Sequence, residues 1–391
     1  MPRATTVPVV DGDPRPPLPG WRDAREILVV RLDNLGDLLM STPAIAAIGH
    51  SSPEARVTLL ASKAGASAAS HLPGVDAVIA YDAPWVKGQA GSAHTDRRMI
   101  AELKRGRFDA AVIFTVCTQS ALPAAMLCRL AGIPLRLAHS RENPYDLLTD
   151  WVPDRDVVGD GMRHEVQRQL DLVRSVGFST PDQRLRFRCL PMDVLSLRRK
   201  FVQAGGDLSR PYVMVHPGAT AASRRYPAER FGMAAQAIGE RSGCQTVFSG
   251  GHDELDLVVR ARQHLRQPVI SLAGQLTLGE LAALVADARV VVCNNSGPAH
   301  LAAALGTPVA VLYALTNPQH TPWQVRARVL NQDVPCRNCL KSACPQGHHA
   351  CLLDVEPEAV ACAALSLMNG APTGERPVAV TDRRPVSLVG G

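Results

Sequence analysis

The chain is expected to fold as an α/β protein built from two doubly wound, parallel-sheet domains, and three observations predict this. Short apolar runs alternate with stretches of helical period through both halves. The strand-like runs are apolar throughout rather than alternating with polar residues, as strands buried on both faces require. At 391 residues the chain has room for two cores of about 100–200 residues each.

The first run, residues 27–32 (ILVVRL), is followed by a turn and a helical stretch to residue 48. Residues 57–60, 77–80 and 110–115 read as further strands of the same sheet. Residues 165–176 carry Val166, Leu170 and Val173 at helical spacing and stop at Gly177. Regularity is lost over 178–210, where Pro181, Pro191, Gly205 and Gly206 mark the connection between domains. Beyond it, 212–216, 245–249, 269–272, 290–293 and 309–313 repeat the strand pattern. One helix start among them is a capping box, Thr277-Leu-Gly-Glu280. The expected organisation is a tail at 1–24, a first domain at 25–200, a second at 201–369 with a cysteine-rich segment at 336–351, and a tail at 370–391. In such a pair, ligands sit in a cleft at the carboxyl ends of the strands.

Composition narrows the class. An apolar fraction of 46% excludes a disordered chain. Formal net charge is +6, and only five of the 42 basic residues are lysine, leaving 37 arginines. That excess is too mild to point to nucleic acid, but it suits an anionic small molecule or a membrane surface. Residues 1–20 lack the apolar core of a signal peptide, and the apolar stretch 301–315 is broken by Gly306, Thr307 and Pro308. The expectation is a cytoplasmic protein without a membrane span and with reduced thiols. Of ten cysteines, six are scattered in apolar segments. The others, Cys336, Cys339, Cys344 and Cys351, form a cluster in which thiolates hold a structural Zn or Fe, with His348 and His349 as substitute ligands, or stay free or pair as a disulfide.

No G-x-G-x-x-G, P-loop, H-E-x-x-H or G-x-S-x-G occurs. Chemistry is therefore sought in the strand-end loops. In Arg31-Leu-Asp-Asn-Leu-Gly-Asp37, Gly36 permits a tight turn and Asp37 opens the next helix, as a general base or as a helix cap. His216-Pro-Gly-Ala-Thr220 with Arg224 and Arg225 has the small residues, hydroxyl and charge that a diphosphate wants, or is a solvated loop. Asn295-Ser296-Gly297-Pro298-Ala299-His300 starts a helix whose amides suit an anion; His300 meets a phosphate or a buried backbone group. In Ser249-Gly-Gly-His-Asp-Glu254, Asp253 or Glu254 accepts from ribose hydroxyls or caps a helix.

Together the stretches 27–48, 164–177, 215–231 and 269–316, the last with NNSGPAHLAAALGTPVAVLYALT, resemble glycosyltransferase family 9, the ADP-heptose:lipopolysaccharide heptosyltransferases. The resemblance implies a GT-B fold, two Rossmann-like domains facing a central cleft, with the acceptor on the first and the nucleotide sugar on the second. It implies an inverting transfer that needs no metal or cofactor, from ADP-heptose or a related donor to a lipopolysaccharide-core hydroxyl. By position, Asp37 matches the catalytic base, and Arg31, Asn34 and Gly36 lie with it on the acceptor side. Thr220, Arg224, Glu254, Asn295, Ser296, Gly297 and His300 fall on the donor side, Arg224 where the family has a lysine. Two departures are Asn295 for the usual Asp and Tyr226 for the usual Trp. The implied partners are a nucleotide sugar and an anionic glycolipid met at the inner membrane surface. The alternatives are another donor acting on a protein or metabolite, and a catalytically weak nucleotide-sugar-binding protein.

Overall fold

The computed structural model describes residues 5–6, 18–86, 91–159, 161–263, 265–314, 318–369 and 387–388. Residues 18–157 and 163–186 form one compact unit and 187–369 a second.

In the first unit the strands are β1 (Glu26–Arg31), β2 (Arg56–Ala61), β3 (Ala77–Ala80), β4 (Ala110–Ile113), β5 (Leu135–Ser140) and β6 (Asp150–Pro153). They pair in parallel in the order β6-β5-β4-β1-β2-β3, and the pairs Thr5–Thr6 and Ser387–Leu388 extend the two edges. β1 lies at the centre, and its Ile27, Leu28, Val29 and Val30 are at most 1% exposed. Helix α1 (Leu35–Ser51) follows it and is buried from residue 38 to 48, so no amphipathic stripe shows in its sequence. Pro43 sits inside α1 and cannot donate to the Leu39 carbonyl. Thr42 Oγ1 donates to that carbonyl instead, at 2.6 Å, which leaves no orphaned acceptor. The helix α2 (Ala93–Gly106) starts at Ser92, which accepts from the Thr95 amide, and α3 (Leu122–Leu130) has proline in its first turn. Helix α4 (Glu165–Arg174) has His164 as its cap and stops short of Gly177, whose φ is +96°.

The second unit repeats the design. Strands β7 (Tyr212–His216), β8 (Gln245–Phe248), β9 (Val269–Ser271), β10 (Val291–Asn294), β11 (Val309–Leu312) and β12 (Ala327–Leu330) pair in parallel as β9-β8-β7-β10-β11-β12. Both sheets therefore carry the dinucleotide-fold order, with the switch point beside the first strand of each unit. The longer helices are α5 (Pro191–Gln203), α6 (Ala228–Ser242), α7 (Leu255–Arg262), α8 (Leu278–Asp287), α9 (Gly297–Leu305) and α10 (Pro357–Asn369).

The expected boundary near residue 200 moves to 186/187 because α5 is tied to α8. Glu280 completes the capping box with Thr277 and also accepts from Ser196 Oγ and Lys200 Nζ, both at 2.7 Å. Gly279 lies so close to Asp193 that a Cβ there would stand 2.3 Å from its carboxylate. The expected tails lie mostly outside the described residues. What is described of the first is packed: Trp21 is 1% exposed and its Nε1 donates to Asp150 Oδ2 at 3.0 Å.

Candidate active site

Each sheet presents its loops at the carboxyl end of the strands. In the first unit this end is organised around one buried cation. Arg31, the last residue of β1, is fully buried, and a buried charge is tolerated only when paired. Its Nε lies 3.1 Å from Asp33 Oδ2, and its Nη2 lies 3.1 Å from Glu165 Oε1 and 3.6 Å from Asp37 Oδ1. Burial alone pushes the guanidinium down, and the three carboxylates more than offset it, so its pKa stands above the ordinary arginine value. Burial also raises the Asp33 carboxyl above its usual range, against the pull of Arg31. Glu165 Oε1 also accepts from Gln169 Nε2 at 2.6 Å. Behind it, Arg168 pairs with Asp154 at 2.8 Å, and His139, buried against the Arg168 carbonyl, is pushed down to about 3 by burial.

Asp37 is the third residue of α1 and not its cap. The cap is Asn34, which makes no side-chain capping bond. A carboxylate in the first helical turn is favoured by the helix dipole, and 15% of this side chain stays exposed. Asp37 thus combines an anchoring guanidinium with access to solvent, which is what a general base needs.

Two sequence expectations are corrected here. Arg31, placed on the acceptor side, is fully buried among carboxylates and presents no exposed surface. Gly36, read as a turn, is the second residue of α1 and is absent from the positive-φ glycines. Asn34 is exposed at the loop.

In the second unit Asn294 is the staple. Its Oδ1 accepts from the Tyr226 amide at 3.0 Å and its Nδ2 donates to the Pro217 carbonyl at 2.8 Å, which fixes the loop after β7 against the end of β10. Arg225 Nε donates to the Ala219 carbonyl at 2.6 Å. Arg224 ends a short 3₁₀ turn (Ala222–Arg224), and Thr220 stands exposed beside it. Asn295 is 3% exposed, and its Nδ2 is buried without a hydrogen-bond partner among the described residues. Ser296 caps α9, Gly297 and Pro298 open it, and His300 is buried in its first turn.

Glu254 Oε2 lies 3.4 Å from His216 Nε2 and accepts from the Gly251 amide at 2.8 Å. Burial pushes its carboxyl up, and His216, that amide and Arg225 more than reverse this, so it titrates below the usual range. Gly218 lies directly beneath it, and a Cβ there would meet the carboxylate at 2.0 Å, so a larger residue would push Glu254 off His216.

The four clustered cysteines line one small pocket of about 20 Å³ with Ser223, His348 and His349. Four backbone amides, at His349, Gln346, Gly347 and His348, outweigh the rise from burial and bring Cys344 below the ordinary thiol value. Yet no three of the described Cys, His, Asp and Glu residues converge as a metal-ligating group. The expected Zn or Fe site is therefore not formed by these side chains as they stand, although the spacing does gather the thiols. The segment instead braces the donor-side loop: Ser223 Oγ donates to the Lys341 carbonyl at 2.6 Å, and His349 Nε2 bonds the Ser223 carbonyl at 2.8 Å.

Sequence reasoning missed Asp33, Glu165 and Asn294. Asp33 carried a signal, being four residues before Asp37. Glu165 lies 134 positions from Arg31, and no local pattern links them.

The profile of glycosyltransferase family 9 (heptosyltransferase) matches residues 97–350. The lipooligosaccharide heptosyltransferase 2 of Haemophilus ducreyi is 25% identical over 353 residues, covering 86% of this chain and 97% of that protein. The lipopolysaccharide heptosyltransferase 2 of Escherichia coli K12 is 27% identical over 347 residues, covering 86% and 96%. Among solved structures, the family 9 glycosyl transferase from Veillonella parvula is similar with a TM-score of 0.75 and 23% identity, over 88% of this chain and 97% of that one. The ADP-heptose lps heptosyltransferase II of E. coli follows at 0.69 and 23%, over 88% and 98%. These structural likenesses carry the fold, GT-B with two Rossmann-like domains. With the profile matched across more than half its length, the chain belongs to glycosyltransferase family 9 and is a glycosyltransferase.

Proposed function

We propose that this glycosyltransferase moves heptose, or a closely related sugar, from ADP-heptose to a hydroxyl of a lipopolysaccharide core, with inversion and without a metal at the reacting centre. The names of the relatives support the sugar and the pathway. The acceptor oxygen attacks the anomeric carbon and forms the new glycosidic bond. The bond from that carbon to the diphosphate oxygen breaks, its electron pair leaves with ADP, and Asp37 takes the acceptor proton. Arg224, the first amides of α9 and the unpartnered Nδ2 of Asn295 supply donors to the leaving diphosphate, a role that a bound cation fills in other transferases.

The observation that carries this reading is the Asp37 carboxylate, 3.6 Å from a buried guanidinium and still 15% exposed. No helix among the described residues is long and apolar enough to cross a membrane. On this reading the acceptor is met at the inner membrane surface, with the enzyme as a peripheral protein. The test is donor consumption by purified protein with ADP-heptose and a heptose-accepting core saccharide. Asp37→Asn should cut kcat by about 10³-fold while leaving ADP affinity unchanged, since general-base removal costs about 10²–10⁴. Near-normal transfer by that variant would end the assignment. Binding of ADP-heptose with no turnover in the wild type would favour the catalytically weak alternative, which Asn295 in place of the family's Asp keeps in play.

A further inference from the structure

In the second unit a chain of three side chains runs between the carboxyl ends of β7 and β8. His216, the last residue of β7, has a side chain only 8% exposed, with a partner on either side of its ring. Its Nδ1 lies 2.9 Å from the Oγ of Ser249, a residue 1% exposed whose amide bonds the Val215 carbonyl at 3.0 Å. Its Nε2 lies 3.4 Å from Glu254 Oε2.

The chemistry of the two ends decides where this ring carries its hydrogen. The Glu254 carboxylate, held below the usual range, can only accept, so the hydrogen facing it sits on Nε2. In the neutral ring Nδ1 is then an acceptor, and the Ser249 hydroxyl donates to it. Anchored in this way, the imidazole has one tautomer and one orientation. Helix capping does not call for such an anchor: the capping bond, from the Gly251 amide to Glu254 Oε2 at 2.8 Å, is complete without His216. Both contacts fall on Oε2, and among the described residues no hydrogen bond is made to Oε1. That oxygen lies over Gly218, where a Cβ would stand 2.0 Å from it, so only bare backbone borders it there. Asp253, the other carboxylate of this loop, is exposed. A carboxylate at the end of the second strand of a nucleotide-binding sheet accepts from ribose hydroxyls, and β8 is the second strand of this unit.

We propose that His216 is a positioning residue for the donor nucleoside: with its tautomer set by Ser249, it holds Glu254 by Oε2 and leaves Oε1 aimed at the ribose hydroxyls. His216 acts only through Glu254 and touches no reacting atom. The inference deepens the transferase reading and rests on it for the nucleotide.

The test is calorimetric titration of the full chain with ADP and with 2′,3′-dideoxy-ADP, without sugar or acceptor. Wild type should prefer ADP by about tenfold or more, as a charged hydrogen bond to the ribose allows. Glu254→Ala should abolish the preference. His216→Ala should compress it to less than threefold by weakening ADP alone, and Ser249→Ala should compress it partly. His216→Gln, which restores an N–H near the place of Nε2, should keep it within about twofold of wild type. Unchanged dideoxy-ADP affinity is the check that each variant folds. A wild-type protein that binds neither nucleotide or both equally, or a preference untouched by His216→Ala, would overturn the proposal. So would an equal loss of both nucleotides that His216→Gln does not rescue, because His216 would then be merely structural. The transfer reading fails separately: an Asp37→Asn enzyme that still transfers would lose its base while the ribose preference stayed as it was.

Discussion

The two units share one strand order, yet the chemistry at their strand ends is opposite. In the first unit three carboxylates crowd a single buried arginine. In the second, the corresponding loops offer amides, two arginines and a helix start, and the buried-side carboxylate, Glu254, is held by His216 and a backbone amide. A parallel sheet sets where loops gather and says nothing of their sign. On the proposed transfer, a proton acceptor and a set of donors for a leaving diphosphate would then be supplied by separate sheets.

That contrast can be broken first at its acidic end. The thousandfold loss expected for Asp37→Asn is the largest effect, and it should appear in kcat with ADP binding intact. Next is Glu165, 0% exposed and paired with Arg31. Glu165→Ala leaves a buried guanidinium short of a partner and should cost about 3 kcal/mol of stability, whereas Glu165→Gln, which keeps the hydrogen bond, should cost less. Paired chemical-denaturation curves would decide this, and equal stability in both variants would mean that Arg31 relies on Asp33 and Asp37 alone.

The acid response should also differ between the units. His139 titrates near 3 when folded against about 6.5 when unfolded, so below pH 6.5 the unfolded chain takes up a proton that the folded unit refuses. The first unit should lose about 2 kcal/mol between pH 6.5 and 5 on this account, at about 1.4 kcal/mol per pH unit. Glu280 is pushed down to about 2, burial being outweighed by Lys200, Ser196 and the Thr277 amide. Its contribution is intact above its unfolded value of about 4.5 and fades only as pH falls from there towards 2. Peptide-resolved hydrogen exchange at pH 7 and pH 5 should therefore show earlier loosening around β5 and α4 than around α8. Uniform loosening, or no change in a His139→Gln comparison, would count against it.

The smallest effect belongs to the basic end. Arg224→Ala should raise the donor KM about tenfold, and Arg224→Lys should restore much of it, since a charged hydrogen bond is worth about 1.5–3 kcal/mol and one of several donors is lost. A rise confined to the acceptor KM would move Arg224 out of the donor site.

How much was legible beforehand varies by residue. The strands were readable because a parallel sheet buries both faces, and Ile27-Leu-Val-Val30 is a short apolar run of that kind. The Thr277–Glu280 cap was readable because its two partners are three residues apart. Glu165 and Asn294 were not, since each acts across 68 to 134 positions and looks locally like an ordinary helix or strand residue. The cysteine spacing pointed to a metal, but proximity in sequence brought the thiols to one pocket without aligning them as ligands.

Periodicity, caps and strand-end composition act over a few residues, and they were enough to establish two doubly wound units and the loops that hold Asp37, Arg224 and Asn295. The burial of Arg31, and of Thr115 Oγ1 and Asn295 Nδ2 without hydrogen-bond partners among the described residues, arises only when segments far apart in the chain close on one another. Charge and desolvation are properties of a surrounding, and that surrounding exists only once the chain has folded.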